Sequence, residues 1–381
     1  MKVKKIDYSM SFCNKSQKNF NYLLLIFFVL LINVDLTAQL APFTDMNRFF
    51  KTFYKNNIRQ LEFQAIKSFE ASDNLIVYVD FRGDFKVYNG ETVELITNQL
   101  VNYKLSDNQL AWNIGPVIYH YSPDYPKKNL LTMFGNQYWL SDSLLVFEDT
   151  RYNTVNVRSR NENMILYQLT GDLYGVEELG DNTIVFRENG DFLKFFWNNK
   201  IHDFAVYTRK IEFSCGVDVI CFNDPINQTF AVFDKGTIVD VESLFVKKFK
   251  ALRNFVAYED NQNNLWIYKN GEKEMLSNFN VNFWNALDNL IVWEEGGLFY
   301  IYEKDKGKKQ LLNYIPQDYQ IKNNTLVFRN NMGGIQVYQN GVLKEITKQL
   351  EAKYKIYGNT VLVELFNQNY LIYHDGKIYN N

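Results

Sequence analysis

Histidine and cysteine are nearly absent from this 381-residue chain, with three of each, and proline occurs only six times. The histidines, His120, His202 and His374, fall in distant stretches, and no HExxH, GxSxG, Walker A or GxGxxG pattern occurs. Zinc, serine and cysteine hydrolases are therefore poor expectations. Three cysteines cannot staple a chain of this length, and Cys215 and Cys221 read as small buried hydrophobes, with pairing in an oxidising compartment as the alternative. Positive charge is not in excess either, since 41 Lys and Arg face 43 Asp and Glu. The electrostatic footprint of a nucleic-acid binder is missing. We expect no metal, no cofactor and no nucleic-acid partner.

What is present is apolar and aromatic: 46% of the residues are hydrophobic, and 31 Phe and 26 Tyr are spread along the chain. That is ample material for a large core. The first 21 residues carry five lysines, followed by an apolar run over 22–32 and a polar stretch ending Thr37-Ala38-Gln39. Eleven apolar residues are about half of the ~20 needed to span a bilayer, but they suit the core of a secretory signal peptide. Residues 1–38 are read as that signal, with cleavage near Ala38 and Met10 as an alternative start. Cys13 precedes the apolar run, which argues against a lipoprotein anchor. The remaining chain, 39–381, is read as one acidic domain of net charge −5, exported, monomeric and without a stable transmembrane span.

Self-similarity organises that domain. The phrase Asp73-Asn74-Leu75-Ile76-Val77-Tyr78 recurs at Asn108, Ser143, Asn182, Asp218, Asn254, Asn289, Asn324 and Asn359, counted at its second residue, with spacings of 34 to 39 residues. Each of the nine copies has an apolar strand, a Gly, Asn or Asp turn, and a second strand ending in an aromatic such as Tyr88, Tyr268 or Tyr338. Asn89-Gly90, Asn270-Gly271, Asn340-Gly341 and Asp375-Gly376 then supply the positive φ of a tight hairpin. Third strands are placed at 92–96, 273–276 and 343–346, and short fourth strands at 102–105 and 354–356. Four antiparallel strands in about 35 residues make one blade of a β-propeller. The residue two past each anchor is aliphatic, and the residue four past is aromatic in eight of nine copies, so the first strand is covered on both faces.

Residues 359–381 hold the beginning of a ninth unit, and 44–72 read like strands two to four of one. We therefore expect an all-β closed propeller of about nine blades, eight if the irregular stretch 143–181 is miscounted. Its last blade would be shared between 44–72 and 359–381, hiding both sheet edges.

The pattern Asp-Asn, apolar strand, Gly turn, strand, Asn-Gly, strand resembles exported bacterial β-propellers of the broad WD40-like and TolB-like type. With the segment ending Thr37-Ala38-Gln39 and the Asn, Lys, Phe and Tyr bias, it is similar to uncharacterised envelope propellers of Bacteroidetes-type bacteria. The resemblance implies architecture over about residues 44–381 and carries no catalytic residue. It also implies a periplasmic, outer-membrane-associated or extracellular location.

Three features could carry chemistry. The residue five past each anchor is charged in six copies: Glu148, Arg187, Glu259, Glu294, Arg329 and Glu364. In a ring they would lie near one channel mouth and could bind a ligand or hold a glycosidase-like carboxylate pair, with Glu259 and Glu294 the first choices. The bland reading is that the strand simply reaches solvent there. The turns 260–264 and 223–227 carry oxygen-bearing side chains like calcium loops, without the bidentate acid of a tight site. Tyr125 and Phe366 stand in polar turns and could stack on a sugar or anchor a protein. The resulting expectation is a non-catalytic binding or scaffold protein with a protein or polysaccharide partner. A carbohydrate-active enzyme using Asp and Glu on the channel face is the rival.

Overall fold

The computed structural model describes residues 39–381, apart from Leu100, residues 170–174 and residues 367–368. The expected signal segment, 1–38, lies outside the described residues. The strands form ten antiparallel sheets in chain order. The first has three described strands, Ala41–Thr44, Phe50–Tyr54 and Asn57–Glu62. The other nine have four strands each and cover residues 68–97, 102–132, 138–168, 175–206, 213–242, 248–277, 283–312, 318–347 and 353–380. We number them blades 1 to 10.

The expected nine blades, or eight, are thus corrected to ten. The cause is a shift of one strand in the repeat unit. Asn102–Leu105 pairs with Leu110–Ile114, and Lys353–Tyr357 with Thr360–Glu364. Each strand read as the last of one unit is the first, innermost strand of the next. Nine Asp-Asn phrases therefore mark nine second strands, and Ala41–Thr44 is a tenth that lacks the phrase. Pro42 helps to disguise it, because proline argues against a central strand.

The shared closing blade is corrected as well. Ser68–Ala71 belongs to blade 2, while 353–380 complete a sheet of their own, so no described strand joins the two stretches. Among the described residues, the ring closes by packing instead. Ala41, Phe43 and Phe53 of blade 1 share a core with Tyr357, Leu362 and Ile372 of blade 10. Tyr379 donates to Asn56 Oδ1 at 2.9 Å, and the Asn359 N–H donates to Gln39 Oε1. Phe50 against Phe69 and Tyr78 joins blades 1 and 2, and mixed cores join every other neighbouring pair.

The second strands carry the core, as their two-sided apolar pattern requires. Tyr78, Trp112, Phe147, Phe186, Phe222, Tyr258, Trp293 and Phe328 are all buried, and aromatics of this kind each remove about 150–250 Å² from water. The tight turns follow their sequence too. Asn270, Asn340 and Asp375 adopt φ of 54°, 53° and 44°, and the glycines after them 84°, 86° and 77°. Asn89-Gly90 departs from that form. Only Gly90 takes positive φ, and a Cβ there would lie 2.6 Å from the Tyr54 ring, so glycine also lets blade 1 approach blade 2. Cys215 and Cys221 are unpaired thiols on adjacent strands of blade 6, and burial pushes both thiols up.

Up-and-down strand order sets the two faces of the ring. The second turn of each blade and the linkers between blades share one rim, the linker rim. First and third turns share the opposite rim.

Candidate functional site

The six charged residues expected at a channel mouth stand at the last or last-but-one position of their second strands, directly beneath the linker rim. No hydrogen bond or ion pair among the described residues joins any two of them. Most of them tie a neighbouring linker or turn in place. Arg187 pairs with Glu177 at 2.9 Å and Asp191 at 3.2 Å and donates to the carbonyls of Tyr207 and Arg209 in the linker that follows. Arg329 does the same for Leu350 and Ala352 at 2.6 and 2.7 Å. Glu148 accepts from Asn136 at 2.8 Å, Glu294 from the Gly297 N–H at 2.7 Å, and Glu259 from the Trp284 indole at 3.0 Å. Glu364 lies across from Lys353 and Tyr370 in the strand register. Asn223, at the equivalent position in blade 6, exchanges two 3.0 Å bonds with Val246 of the next linker.

The other expected sites are used locally. Asp260 accepts the N–H groups of Gln262 and Asn264 and the Trp266 indole, and Asp224 accepts from Ile226 and Asn227. Both act as caps for their own turns. His120, His202 and His374 lie in blades 3, 5 and 10. His120 is buried against Gln109 Oε1 at 2.8 Å, and burial, with Arg158 nearby, pushes its pKa down to about 4.

The structure brings together a set that the sequence reading passed over: the first residue of the repeated phrase. Asp73, Asp107, Asp142, Asp181 and Asp288 occupy the first turns, at the inner end of their blades. Four of the five carboxylates bond the equivalent turn of an adjacent blade, three in the preceding blade and Asp288 in the following one. The N–H groups of Asp73, Asp107 and Asp142 donate to the carboxylates of Asp107, Asp142 and Asp181 at 3.1, 2.7 and 2.7 Å. The Asn323 N–H donates to Asp288 at 2.8 Å. Across the ring, Lys322 of blade 9 reaches Asp73 at 2.5 Å and Asp107 at 2.9 Å, in blades 2 and 3. Asn323 adds a 2.8 Å bond to Asp73, and Arg253 joins Asp288 at 3.1 Å to Asn323 at 3.2 Å. A polar latch therefore spans this mouth of the channel. The signal was in plain sight, because the residue before the anchor is Asp in five copies. It served only to mark the repeat.

Burial, aided by the Asp107 charge, pushes the Asp73 carboxyl up. Burial works against the Lys322 ammonium, but Asp73 and Asp107 together hold it above the ordinary lysine range. Asp142 has no such lysine. Burial, then the charges of Asp181 and Asp107, raise its pKa to about 7. The native state thus keeps a proton that the unfolded chain releases above the ordinary aspartate pKa of 3.8. Stability should fall as pH rises from about 4 to about 7 and then level off. Asp142→Asn keeps an acceptor for the Asp107 N–H and removes that slope. It should gain about 1–2 kcal/mol at pH 8 and nothing at pH 4 in urea titrations, a figure discounted for partial exposure.

The linker rim is apolar to an unusual degree. Second turns expose Met46, Phe81, Tyr152, Ile226, Met332 and Phe366, the last two at 80%. Linkers add Phe63, Met133, Leu244, Phe279, Ile315 and Leu350. Among the described residues, no large hydrophobic side chain is exposed in the first or third turns of the opposite rim. Tyr125, the other aromatic singled out, is half-exposed at a strand start near that opposite rim. Arg48, Lys67, Arg82, Arg151, Lys247 and Lys348 also lie in the second turns and linkers, and Arg82 and Arg151 stack over Phe81 and Tyr152.

A family model described as a 10-bladed beta propeller domain matches residues 35–379. Its count agrees with the ten sheets. No curated protein matches. Among solved structures, the computationally designed Ika8 protein is 13% identical, with a TM-score of 0.36, over 88% of this chain and 99% of that one. The Porphyromonas gingivalis dipeptidyl peptidase 4 is 10% identical, with a TM-score of 0.44, over 88% of this chain and 62% of that one. The CRINKLY WD40 ectodomain of the Arabidopsis thaliana receptor kinase ACR4 is 6% identical, with a TM-score of 0.31, over 72% and 98%.

Proposed function

Because the chain belongs to the family of the 10-bladed beta propeller domain, we propose that it is an exported, non-catalytic binding or scaffold protein of the cell envelope or extracellular space. Its linker rim would dock a protein partner. The observation that supports this most is that, among the described turns and linkers, exposed Met, Phe, Leu and Ile side chains fall on one rim. Contiguous exposed apolar surface on a folded domain marks an interaction site. Interfaces draw most of their affinity from a few such anchors.

Export is proposed on the lysine-rich, apolar segment before Gln39. Among the described residues no helix is long and apolar enough to cross a membrane.

The test uses blades 9 and 10, where the Met332 turn meets the linker carrying Leu350 and where Phe366 tips the next turn. The triple variant Met332→Ser, Leu350→Ser, Phe366→Ser exposes no core and should melt within ~2 °C of the parent. It should lose at least about tenfold in affinity for any partner that the mature chain retains at stoichiometric yield from envelope fractions. Unchanged retention by the triple variant would remove the linker rim from consideration.

A further inference from the structure

A cavity of about 510 Å³ lies on the inner wall of the ring, lined by the inner strands of blades 7, 8 and 9 and by Ile356 of blade 10. It plays no part in the linker rim, and its lining is chemically one-sided. Lys248 and Lys250 come from one strand, Asn285 from the next, and Gln320 and Lys322 from the third. The lining contains no carboxylate.

Only one of the three ammonium groups has carboxylate partners. Lys322 is held by Asp73 and Asp107 at the latch. Lys248 instead donates to the Trp284 carbonyl at 2.7 Å and sits 4.1 Å from the Trp284 ring centroid. These neutral partners fix its position without cancelling its charge. Lys250, two residues on and on the same side of the strand, is exposed. Neither Lys248 nor Lys250 forms an ion pair with any described residue. Burial lowers the Lys248 pKa, with only Glu259 acting against it.

Two ammonium groups with no direct carboxylate partner, Lys248 near Glu259 and Lys250 within electrostatic reach of Glu178, stand on a concave, partly desolvated wall, repel each other and focus a positive potential. These inner strands are also sheet edges, so their free backbone N–H and C=O groups add donors and acceptors to the wall. Lysines favour point-charge contact over the planar two-pronged grip of arginine. The two amides supply hydrogen bonds suited to hydroxyl groups.

We infer that this wall is a binding site for a small, multiply charged oxyanion, carrying carboxylate or phosphate groups with neighbouring hydroxyls. Lys248 and Lys250 would take the charge, and Asn285 and Gln320 the hydroxyls.

Isothermal titration of the mature chain with tripolyphosphate, citrate, trigalacturonate and neutral maltotriose tests this. At least one anion should bind with Kd below ~1 mM, and maltotriose should not. The strongest anion distinguishes a phosphate ligand from a carboxylate one. Its affinity should fall at least about tenfold in the double variant Lys248→Gln, Lys250→Gln, and also between about 50 and 300 mM salt. Lys248→Arg, Lys250→Arg should retain it within about threefold, and the rim triple variant should bind as the parent does, which separates this site from the docking surface. The inference fails if no anion binds at about 10 mM, or if the glutamine variant binds as tightly as the parent.

Discussion

Lys322→Met should destabilise the ring by about 2–4 kcal/mol at pH 8 and by clearly less at pH 5. Removing one partner of a buried ion pair leaves the other charge desolvated, which costs about 3–5 kcal/mol when burial is complete. Here a quarter of the Lys322 side chain stays exposed, and Asp73 and Asp107 are 10% and 21% exposed, so the loss is about 1 kcal/mol smaller than for complete burial. The pH dependence follows from the carboxylates left behind. Without the ammonium, the Asp73 carboxyl, already pushed up by burial, rises further and takes up a proton in acid, which relieves the unpaired charge. The loss therefore grows as pH increases through the acid range and is complete in mild alkali. Urea midpoints at the two pH values measure it, and adding Asp73→Asn should recover part of the alkaline loss. A variant as stable as the parent at pH 8 would show that the latch carries no strength.

Phe53→Ala should cost about 3–5 kcal/mol, and its effect should be local. Phe53 is 1% exposed and packs on Tyr379 and His374 with ring centroids 5.0 and 5.5 Å away. It stands in the joint between blades 1 and 10, where described contacts are side-chain packing and two hydrogen bonds. Hydrogen exchange should quicken first in residues 41–62 and 353–380, while blades 4 to 7 keep their protection. Uniform acceleration around the ring would mean that this joint is no weaker than the rest in the parent.

Much of this architecture was legible because it is local and repeated. The aliphatic and aromatic positions of the second strand, from Ile76 and Tyr78 to Leu326 and Phe328, need only alternation and two covered faces to be read. Tight turns at Asn270 and Asn340 follow from backbone preference alone. The blade count went astray because the phrase marks the second strand, and a strand's partner is not written in its own residues. Asn102–Leu105 has the same composition whether it ends one sheet or starts the next. Ala41–Thr44 lacks the phrase altogether.

The site was less legible for a related reason. Charges after the buried aromatic, such as Arg187 and Arg329, looked like channel chemistry, but their hydrogen bonds hold linkers. Asp73 looked like turn punctuation, which it also is. Its second role depends on Lys322, about 250 residues away, and no single repeat contains both. The same holds for the cavity wall, where Lys248, Asn285 and Gln320 meet only because three wedges converge.

The joint between blades 1 and 10 has a consequence for how such a toroid can change over generations. A propeller whose two extremities interlace within one sheet needs a special unit to finish it, and duplication or deletion of a wedge must spare that unit. Here the described joint is made of the same kind of side-chain packing as its neighbours. Among the described residues no hydrogen-bonded ladder joins blades 1 and 10, so a wedge could be copied or lost without breaking one there. Circumference would then be set by how tightly the aromatics wedge apart adjacent sheets.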